Sequence, residues 1–265
     1  MTESKPKNAP LQWKLLVKRR NSDPSRVPPG NESVTESLIW ITNTVTLLYG
    51  ERDAVLVDTF LPNEQNQELA DWIAASGKNL TMVYITHAHP DHCWGLMDDN
   101  GARNFPNAQI YMTQADLDFW TDEAKLTHPQ LKDFIAGTRK HLLPNRDRMV
   151  LVRDGQEFLP GIQAMAAPGH TVGHTVFVIT SQGKTLCNAG DIAHHHTIMV
   201  ENPRREFSYD TDGKQAVASR LRVFDMLASQ RVASVTYHFP WPGLGHIGKQ
   251  GDGYRYFPMP LRTVL

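Results

Sequence analysis

The sequence has few cysteines, no long apolar run and almost no excess of charge, and each shortage excludes a class of protein. Its two cysteines, Cys93 and Cys187, cannot build a disulfide framework. No apolar run approaches the ~18 residues of a membrane span, so no membrane partner is expected. The 27 basic and 28 acidic residues leave a net charge of −1, which gives no reason to expect a nucleic-acid partner. We interpret the basic stretch at 18–20 as a solvated loop.

The N-terminal residues MTESKPKNAP also lack the apolar core of a signal peptide, which makes the cytoplasm the expected location. Residues 1–36 are predicted to be irregular, because prolines and a glycine interrupt every periodic pattern in them. What the sequence does contain is ordinary for a globular protein, with 40% hydrophobic and 21% charged residues. A chain of 265 residues without a linker-like stretch predicts a single domain over 1–265.

Apolar and amphipathic segments predict an alternation of strands and helices after the N-terminal segment. The predicted strands are 39–48, 54–57, 80–86, 109–112, 149–152, 162–167, 175–180, 184–187 and, as the final one, 234–237. The predicted helices are 64–76 with Asn63 as its cap, one capped by Thr113 that runs through Trp120, and 213–230, with a further helical region over 121–147. Two β-rich halves, each closed by a helix, predict an α/β (α+β) protein in which two packed sheets are covered by helices.

The segment THAHPDH at 86–92 directly follows a predicted buried strand and carries three imidazoles and one carboxylate. His87 and His89 are two residues apart, so in extended backbone they point the same way and can share one metal ion. Asp91 and His92 come from the turn beyond the strand and are displaced enough to hold a second ion. Imidazole and carboxylate without thiolate suit zinc, iron, manganese or cobalt.

Further candidate ligands follow later predicted strands. The motif PGHTVGH holds His170 and His174, the motif AGD ends at Asp191, and His238 follows the final predicted strand. Because strand ends gather at one edge of a sheet, these side chains can converge on the first cluster. Cys93, beside that cluster, is interpreted as a small packing residue rather than a ligand or nucleophile.

The combination of THAHPDH, PGHTVGHT, AGD and a late histidine before PGLGH resembles the metallo-β-lactamase-fold hydrolases. Within them it is most similar to the methyl parathion hydrolase and lactonase group, over about residues 40–260. This resemblance implies a metallo-β-lactamase-like four-layer αββα sandwich with two mixed β-sheets. It also implies seven metal ligands: His87, His89 and His170 for the first ion, Asp91, His92 and His238 for the second, and Asp191 bridging both.

The resemblance also implies roles for the polar residues around these ligands. The family pattern favours His238 over the later His246 as the ligand, and it makes His174 a supporting or structural residue. Asp58 matches a family aspartate that usually supports a metal ligand. Here Thr59 and Phe60 follow it where relatives commonly have Thr-Gly, so the local turn is expected to differ.

The ligand set implies a centre of two divalent cations, for which zinc is expected first and Mn2+, Fe2+ or Co2+ are alternatives. Two such ions hold a bridging water and lower its pKa toward about 7, which makes a metal-bridging hydroxide available at neutral pH. Asp91 or Asp191 is then placed to move a proton to the leaving group. Both are therefore candidate catalytic residues.

The contacts to the substrate are predicted from three further residues. His194 stands where lactonases of this fold often carry a tyrosine that contacts the substrate carbonyl, so it is either a catalytic, substrate-binding substitute or a loop histidine in solvent. Trp120 and Phe134 match aromatic pocket positions of the methyl parathion hydrolase group, or else they belong to the helix core. As pocket residues they imply a small-molecule substrate with an apolar or aromatic part. Relatives are frequently dimers, which makes a homodimer a further expectation.

The resemblance thus predicts a hydrolase that cleaves a lactone or a carboxylic ester, with organophosphate triesters as a further substrate class. One alternative is a thioesterase similar to glyoxalase II or the polyketide thioesterases. Another is a mononuclear-iron sulfur dioxygenase, which uses a subset of the same ligands. His89 separates the chain from flavodiiron oxidoreductases, which carry glutamate there, and Asp191 separates it from true β-lactamases, which generally lack the bridging aspartate.

Overall fold

A computed structural model of the protein describes residues 10–21 and 40–260, which form two mixed sheets with helices outside them. The strands of the first sheet are β1 (Gln12–Asn21), β2 (Trp40–Tyr49), β3 (Asp53–Val57), β4 (Asn79–Tyr84), β5 (Gln109–Thr113) and β6 (Met149–Val152). Those of the second are β7 (Glu157–Leu159), β8 (Ile162–Ala166), β9 (Thr175–Ser181), β10 (Lys184–Asn188), β11 (Ala233–Val235), β12 (Leu244–Gln250) and β13 (Gly253–Pro258). The helices are α1 (Asn63–Ala75), α2 (Pro90–Cys93), α3 (Gln114–Thr121), α4 (Lys132–Leu142), α5 (Ile198–Glu201) and α6 (Gly213–Gln230).

The two sheets differ in how their strands connect. The first keeps chain order from β1 to β6, antiparallel up to β3 and parallel from β3 to β6. The second has the order β13-β12-β11-β10-β9-β8-β7, with β10 and β11 parallel and the other neighbours antiparallel. Parallel neighbours need crossover connections, and α1, α3 with α4, and α6 lie in those connections.

Three apolar layers hold these elements together. Between the sheets, residues such as Tyr84 of the first sheet meet Phe177 of the second. Outside the first sheet, α1, α3 and α4 bury side chains such as Leu69 against it, and outside the second sheet α6 buries Val223 and Phe224. A helix layer, two sheets and a second helix layer make up the predicted four-layer αββα sandwich, which is confirmed.

The N-terminal segment contradicts one prediction. Residues 1–36 were expected to be irregular, but Gln12–Asn21 is a ten-residue strand that pairs antiparallel with β2 along its whole length. The basic stretch at 18–20 is therefore part of an edge strand, not a loop, and Lys18 forms an ion pair with Glu68. The rest of that prediction, residues 1–9 and 22–36, lies outside the described residues.

Most other elements lie within a few residues of their predicted bounds. The helix predicted at 213–230 is observed over those residues, and Thr113 caps α3 by accepting a hydrogen bond from the N–H of Asp116. Asn63 is the first residue of α1 rather than its cap, and Pro62 occupies the cap position. The prediction of 234–237 as the final strand is wrong, because β12 and β13 follow it as an antiparallel pair. No helix in residues 10–21 and 40–260 is long and apolar enough to cross a membrane.

Candidate metal centre

The predicted ligands lie in four loops, each of which follows a strand. Residues 86–92 follow β4 and run into α2, while His170 follows β8, Asp191 follows β10 and His238 follows β11. Although these loops are far apart in the chain, their donor atoms meet in groups within 4.8 Å of one another. The expected convergence of strand ends is therefore observed.

The donor atoms form groups that match the two expected ions. We call the group of His87, His89 and His170 the first position and the group of Asp91, His92 and His238 the second position. Asp191 forms a further group with His87 and His92, one residue from each position. The seven predicted ligands thus lie together, with the carboxylate expected to bridge between the two positions.

The carboxylate of Asp191 lies at the centre of this arrangement. The Nε2 atoms of four candidate ligands lie close to its Oδ2 atom: that of His238 at 3.1 Å, that of His92 at 3.2 Å, that of His170 at 3.5 Å and that of His87 at 3.7 Å. Burial alone would raise the pKa of Asp191, but the positive charge that the surrounding imidazoles can carry holds that pKa well below its usual value. The site is built around an ionised carboxylate.

The unsatisfied atoms at this centre fit divalent cations. Within the described chain, the Nε2 atoms of His87, His92 and His170 and the Oδ1 atom of Asp191 are buried without a hydrogen-bond partner. Buried polar atoms are rarely left unsatisfied in folded proteins. Imidazole lone pairs and carboxylate oxygens that converge on one point are the donors that zinc and similar ions take.

Each candidate ligand of the second position makes a hydrogen bond with a residue of β2 or with Asp58, which directly follows β3. His92 Nδ1 lies 3.0 Å from Asp58 Oδ2, and His238 Nδ1 donates to the carbonyl of Thr42 at 3.0 Å. Asn43 donates from Nδ2 to Asp91 Oδ2 at 3.2 Å. Because the Nδ1 atoms are used in this way, both imidazoles present Nε2 to the centre.

The turn that carries Asp58 supports the site through several hydrogen bonds. Asp58 has a φ of 63°, which is uncommon for a residue other than glycine. Its carboxylate accepts hydrogen bonds from the N–H and the hydroxyl of Thr86. Thr59 donates to the carbonyl of His92 at 2.8 Å, and Phe60, where relatives commonly have glycine, is fully buried in the core. The residue at position 60 therefore serves packing, while Asp58 keeps its contact with His92.

The first position is held by different parts of the fold. His170 Nδ1 lies 2.9 Å from Asp210 Oδ1, which comes from the segment before α6. His87 Nδ1 lies 3.0 Å from the hydroxyl of Thr86, whose own proton goes to Asp58. His89 has no side-chain hydrogen bond within the described residues; the edge of its ring packs on Trp120 instead, with ring centroids 5.2 Å apart.

Asp210 is a functional candidate that reasoning from the sequence missed. It stands 40 residues after His170 in a segment without a recognisable pattern. The only local signal is that it precedes Asp212, whose side chain caps α6. A carboxylate that orients a histidine ligand can be recognised only once the fold has brought the two together.

His174 supports Asp191 directly. The N–H of Asp191 donates to His174 Nε2 at 3.0 Å, so this nitrogen carries no proton. His174 Nδ1 must then carry the proton, which it donates to the carbonyl of Ala167 at 3.1 Å. Burial lowers the pKa of His174 to about 3, which agrees with this neutral form. His174 belongs to none of the donor groups, as expected for a supporting residue.

Asp116 ties together the two loops that carry the first-position ligands. Its buried carboxylate accepts hydrogen bonds from the N–H of Ala88, the N–H of Gly173 and the hydroxyl of Thr171, at 2.8, 2.6 and 2.8 Å. Burial raises the pKa of Asp116 to about 6. The role of Asp116 in joining the two loops was not predicted from the sequence.

His194 lies inside the site rather than in solvent. Its Nε2 atom is 3.2 Å from Asp191 Oδ2, and its ring stacks on Phe207 with centroids 4.0 Å apart. Burial lowers the pKa of His194 to about 4, so it is neutral at pH 7. His170, Asp191 and His194 form a fourth donor group, so geometry alone allows His194 to act as a ligand or as a hydrogen-bond donor.

The two predicted pocket aromatics lie beside His89. Trp120 is 3% exposed and belongs to the core, and Phe134 is half-buried against that core. Phe134 lies 6.2 Å from the ring of His89, and the Nε1 atom of Trp120 is buried without a hydrogen-bond partner in the described chain. Trp120 thus combines both interpretations left open by the sequence: it is a core residue and a neighbour of the site.

Two residues near the motifs lie outside the donor groups. Cys93 is fully buried in the core, and burial raises the pKa of its thiol well above the usual value, which agrees with a packing role. His246 lies in β12 opposite Phe257 and, unlike His238, joins no group of donors among the described residues. The geometry therefore favours His238 as the late ligand.

The chain is similar to several known proteins. A family profile described as the metallo-beta-lactamase superfamily matches residues 39–233, more than half of the chain. The N-acyl homoserine lactonase of Bacillus cereus is 28% identical over 266 residues, which cover 90% of this chain and 92% of that protein. The atrochrysone carboxyl ACP thioesterase of Pseudocercospora fijiensis is 29% identical over 167 residues, which cover 61% of this chain and 41% of that protein.

A solved structure extends the similarity to nearly the whole chain. AidC, a dizinc quorum-quenching lactonase in complex with the product N-hexnoyl-L-homoserine, aligns with a TM-score of 0.82 at 26% identity. The alignment covers 98% of each chain. By contrast, the chain spans only 59% and 41% of the length of the first two curated relatives that it matches.

Proposed function

Since the chain belongs to the metallo-β-lactamase superfamily, we propose that it is a hydrolase that holds two divalent cations, zinc first among them, and cleaves a lactone or a carboxylic ester. The observation that carries the proposal is the position of Asp191, whose Oδ2 atom lies within 3.7 Å of imidazoles from both metal positions. A carboxylate between two sets of donors is the arrangement that holds a pair of cations at a short distance.

The cations would be held by His87, His89 and His170 in the first position and by Asp91, His92 and His238 in the second, with Asp191 shared. When bound, such a pair supplies an activated water as the nucleophile and a Lewis acid for the substrate oxygen. No serine or cysteine nucleophile is then needed, which agrees with the buried, protonated thiol of Cys93.

Two side chains of the protein are assigned to the reaction itself. We assign to His194, which is neutral and has Nε2 near Asp191, the role of donating a hydrogen bond to the carbonyl oxygen of the substrate as negative charge develops there. The side chain of Asp91 is 13% exposed, whereas that of Asp191 is 2% exposed. Of the two carboxylates, Asp91 is therefore the one that can reach a leaving group and hand it a proton.

The substrate class rests on the relatives and on the aromatic side chains. The Bacillus cereus relative is a lactonase, and AidC is a lactonase with an acyl-homoserine product bound. Phe134, which is half-buried beside His89 and close to the buried ring of Trp120, offers an apolar contact for a small molecule with an apolar part. Phosphotriesters are a further substrate class, because the same nucleophile can attack phosphorus.

Thioester hydrolysis is the second candidate. One curated relative is an acyl-carrier-protein thioesterase, which matches more than half of this chain. A mononuclear dioxygenase fits less well, because the second position also has its full set of donors. The lactone or ester and the thioester differ only in the leaving atom, so an assay has to separate them.

A substrate panel tests the proposal. The purified protein, loaded with zinc or with manganese, is assayed on lactones, aryl esters, thioesters and phosphotriesters, and metal is counted by mass spectrometry. We expect lactones or esters to give the highest kcat/KM and the metal content to approach two ions per chain. Highest activity on thioesters would favour the second candidate, and a single iron per chain would contradict hydrolysis.

Substitution of the shared carboxylate is the matched test of the site. Asp191→Ala removes the ligand common to both positions, so we expect bound metal to fall and kcat/KM to drop by more than about 10³-fold, since metal activation is worth several kcal/mol. Asp225→Ala on the exposed face of α6 is the control. Unchanged metal content and turnover in Asp191→Ala would refute the assignment.

A further inference from the structure

A fully buried arginine lies behind the first metal position. Arg220 in α6 is 1% exposed and is among the largest fully buried side chains. Its Nε atom donates to the carbonyl of Ile192 at 2.8 Å, and its Nη1 atom donates to the carbonyls of Pro203 and Arg205 at 2.9 and 2.7 Å. Burying a charged group is costly unless it is well bonded, so these contacts mark a position where the fold requires a guanidinium.

The second terminal nitrogen of Arg220, Nη2, faces the carboxylate of Asp210, which supports His170. Arg220 Nη2 lies 3.8 Å from Asp210 Oδ2, and the same carboxylate presents Oδ1 to His170 Nδ1 at 2.9 Å. The N–H of Phe207 donates to Asp210 Oδ2 at 3.1 Å. Asp210 is thus held on one side by a backbone N–H and a guanidinium, and on the other it orients a metal-ligand candidate.

Arg220 also contacts the loop of the shared carboxylate. Ile192, whose carbonyl accepts from Arg220, directly follows Asp191 in the chain. One side chain therefore braces both His170, through Asp210, and Asp191, through the neighbouring carbonyl. These two ligands come from loops after different strands, β8 and β10.

The helix of Arg220 is packed tightly against the His170 loop. A side chain at Gly169 would have its Cβ only 2.0 Å from the backbone N of Ala216 in α6, so the close approach requires glycine. Ser219 donates from its hydroxyl to the carbonyl of Pro168 at 2.6 Å. The first half of α6 thus packs directly against the His170 loop, and Arg220 is fully buried in this part of the helix.

From these contacts we propose that Arg220 is a positioning residue that, through Asp210 and the carbonyl of Ile192, sets the affinity of the first metal position. The second position draws its hydrogen bonds from β2 and from Asp58 after β3, neither of which Arg220 contacts. The contact through Asp210 acts on His170 alone, whereas the contact through Ile192 acts on Asp191, which both positions share. Loss of Arg220 therefore weakens the first position more than the second. The inference rests on the proposed two-cation centre.

The test measures the two metal affinities separately. Zinc is titrated into the metal-free protein in competition with a chromophoric chelator, and Co2+ absorption reports the coordination of each site. For Arg220→Met and Asp210→Asn we expect the affinity of one ion to fall by about 10- to 100-fold, as is typical when a support of a ligand is lost. The affinity of the other ion should stay unchanged in Asp210→Asn and should change less than that of the first ion in Arg220→Met, which also loses the contact with the Asp191 loop. Arg220→Lys keeps the positive charge but loses the planar guanidinium with its several N–H donors, so its metal affinity should lie between those of Arg220→Met and the wild type.

Further measurements separate positioning from general destabilisation. Lys214→Met, which replaces an exposed cation on the same helix, is the matched control and should bind both ions as the wild type does. The Nδ1–H signal of His170 in imidazole NMR should shift in Arg220→Met. If Arg220→Met fails to fold, Asp210→Asn decides, because it leaves the carbonyl contacts of Arg220 in place.

The outcomes distinguish this inference from the function on which it rests. A wild type that binds two ions, with both variants binding them equally well, would overturn the role of Arg220 and leave the proposed function intact. Equal weakening of both ions would also overturn the selective role. A wild type that binds fewer than two ions would overturn the proposed function and this inference with it.

Discussion

The two metal positions face each other across Asp191, yet they draw their support from different parts of the fold. In the second position, Asp58, Thr42 and Asn43 hold the ligands, and all three lie in the first sheet or directly after one of its strands. In the first position, support comes from Asp210 before α6 and from Trp120 in α3, in addition to the hydroxyl of Thr86.

This difference has a physical consequence. Sheet strands are held by a continuous ladder of backbone hydrogen bonds, so a group on β2 keeps its place as long as the sheet does. The supports of the first position depend on how helices dock on the sheets, and His89 relies on packing alone. The comparison therefore predicts that the two positions can be weakened independently, from different sides of the molecule.

Among the exchanges that leave the seven candidate ligands in place, that of His194 should give the largest effect, and it should leave both positions intact. His194→Phe keeps a flat ring against Phe207 but removes the donor near Asp191, so we expect kcat to fall by about 10²- to 10³-fold on the best substrate. The metal content should remain that of the wild type. His246→Phe, outside the donor groups, is the control. Loss of metal in His194→Phe would instead make His194 a ligand and add it to the first position.

Exchange of Asp58 should affect the second position most, because Asp58 contacts His92 directly but is connected to His87 of the first position only through the hydroxyl of Thr86. Asp58→Asn keeps the size of the side chain and tolerates the positive φ, but it removes the carboxylate that orients His92. We expect the affinity of one ion to fall by about 10- to 100-fold. Asp53→Asn at the exposed start of β3 is the control. In a double variant with Asp210→Asn, both ions should bind more weakly, because the two substitutions affect different positions. If Asp58→Asn and Asp210→Asn each weakened the same ion, the two positions would not have separate supports.

Exchange of Trp120 should have the smallest effect. Trp120→Phe keeps an aromatic neighbour for His89 but loses the indole edge, so we expect KM to change by about 2- to 10-fold, the value of an aromatic contact. Trp72→Phe, half-buried on α1, is the control. If Trp120→Phe lowered metal affinity more than Asp58→Asn does, packing would hold His89 at least as firmly as hydrogen bonds hold the other candidate ligands.

Much of the fold and the site could be predicted from local patterns. The seven ligand candidates follow runs of apolar residues that form strands, and the helix at 213–230 has apolar residues at helical spacing. Among the exceptions in the fold are the pair of β12 and β13 and the strand β1. In β1, the charged end and the exposed Trp13 reflect an edge strand with one neighbour. Such a strand needs little apolar alternation, so its pattern resembles that of a loop.

The sequence by itself determined which residues are candidate metal ligands, because imidazoles and carboxylates at strand ends form recognisable local motifs. Only the tertiary structure decided which groups hold those ligands in place. The contacts of His170 with Asp210 and of His238 with Thr42 span 40 and 196 residues of chain. Nor does any local pattern mark Arg220, which repeats no motif and is simply a charged residue in a helix. Its role follows from the packing of α6, which buries the guanidinium among three backbone carbonyls beside Asp210.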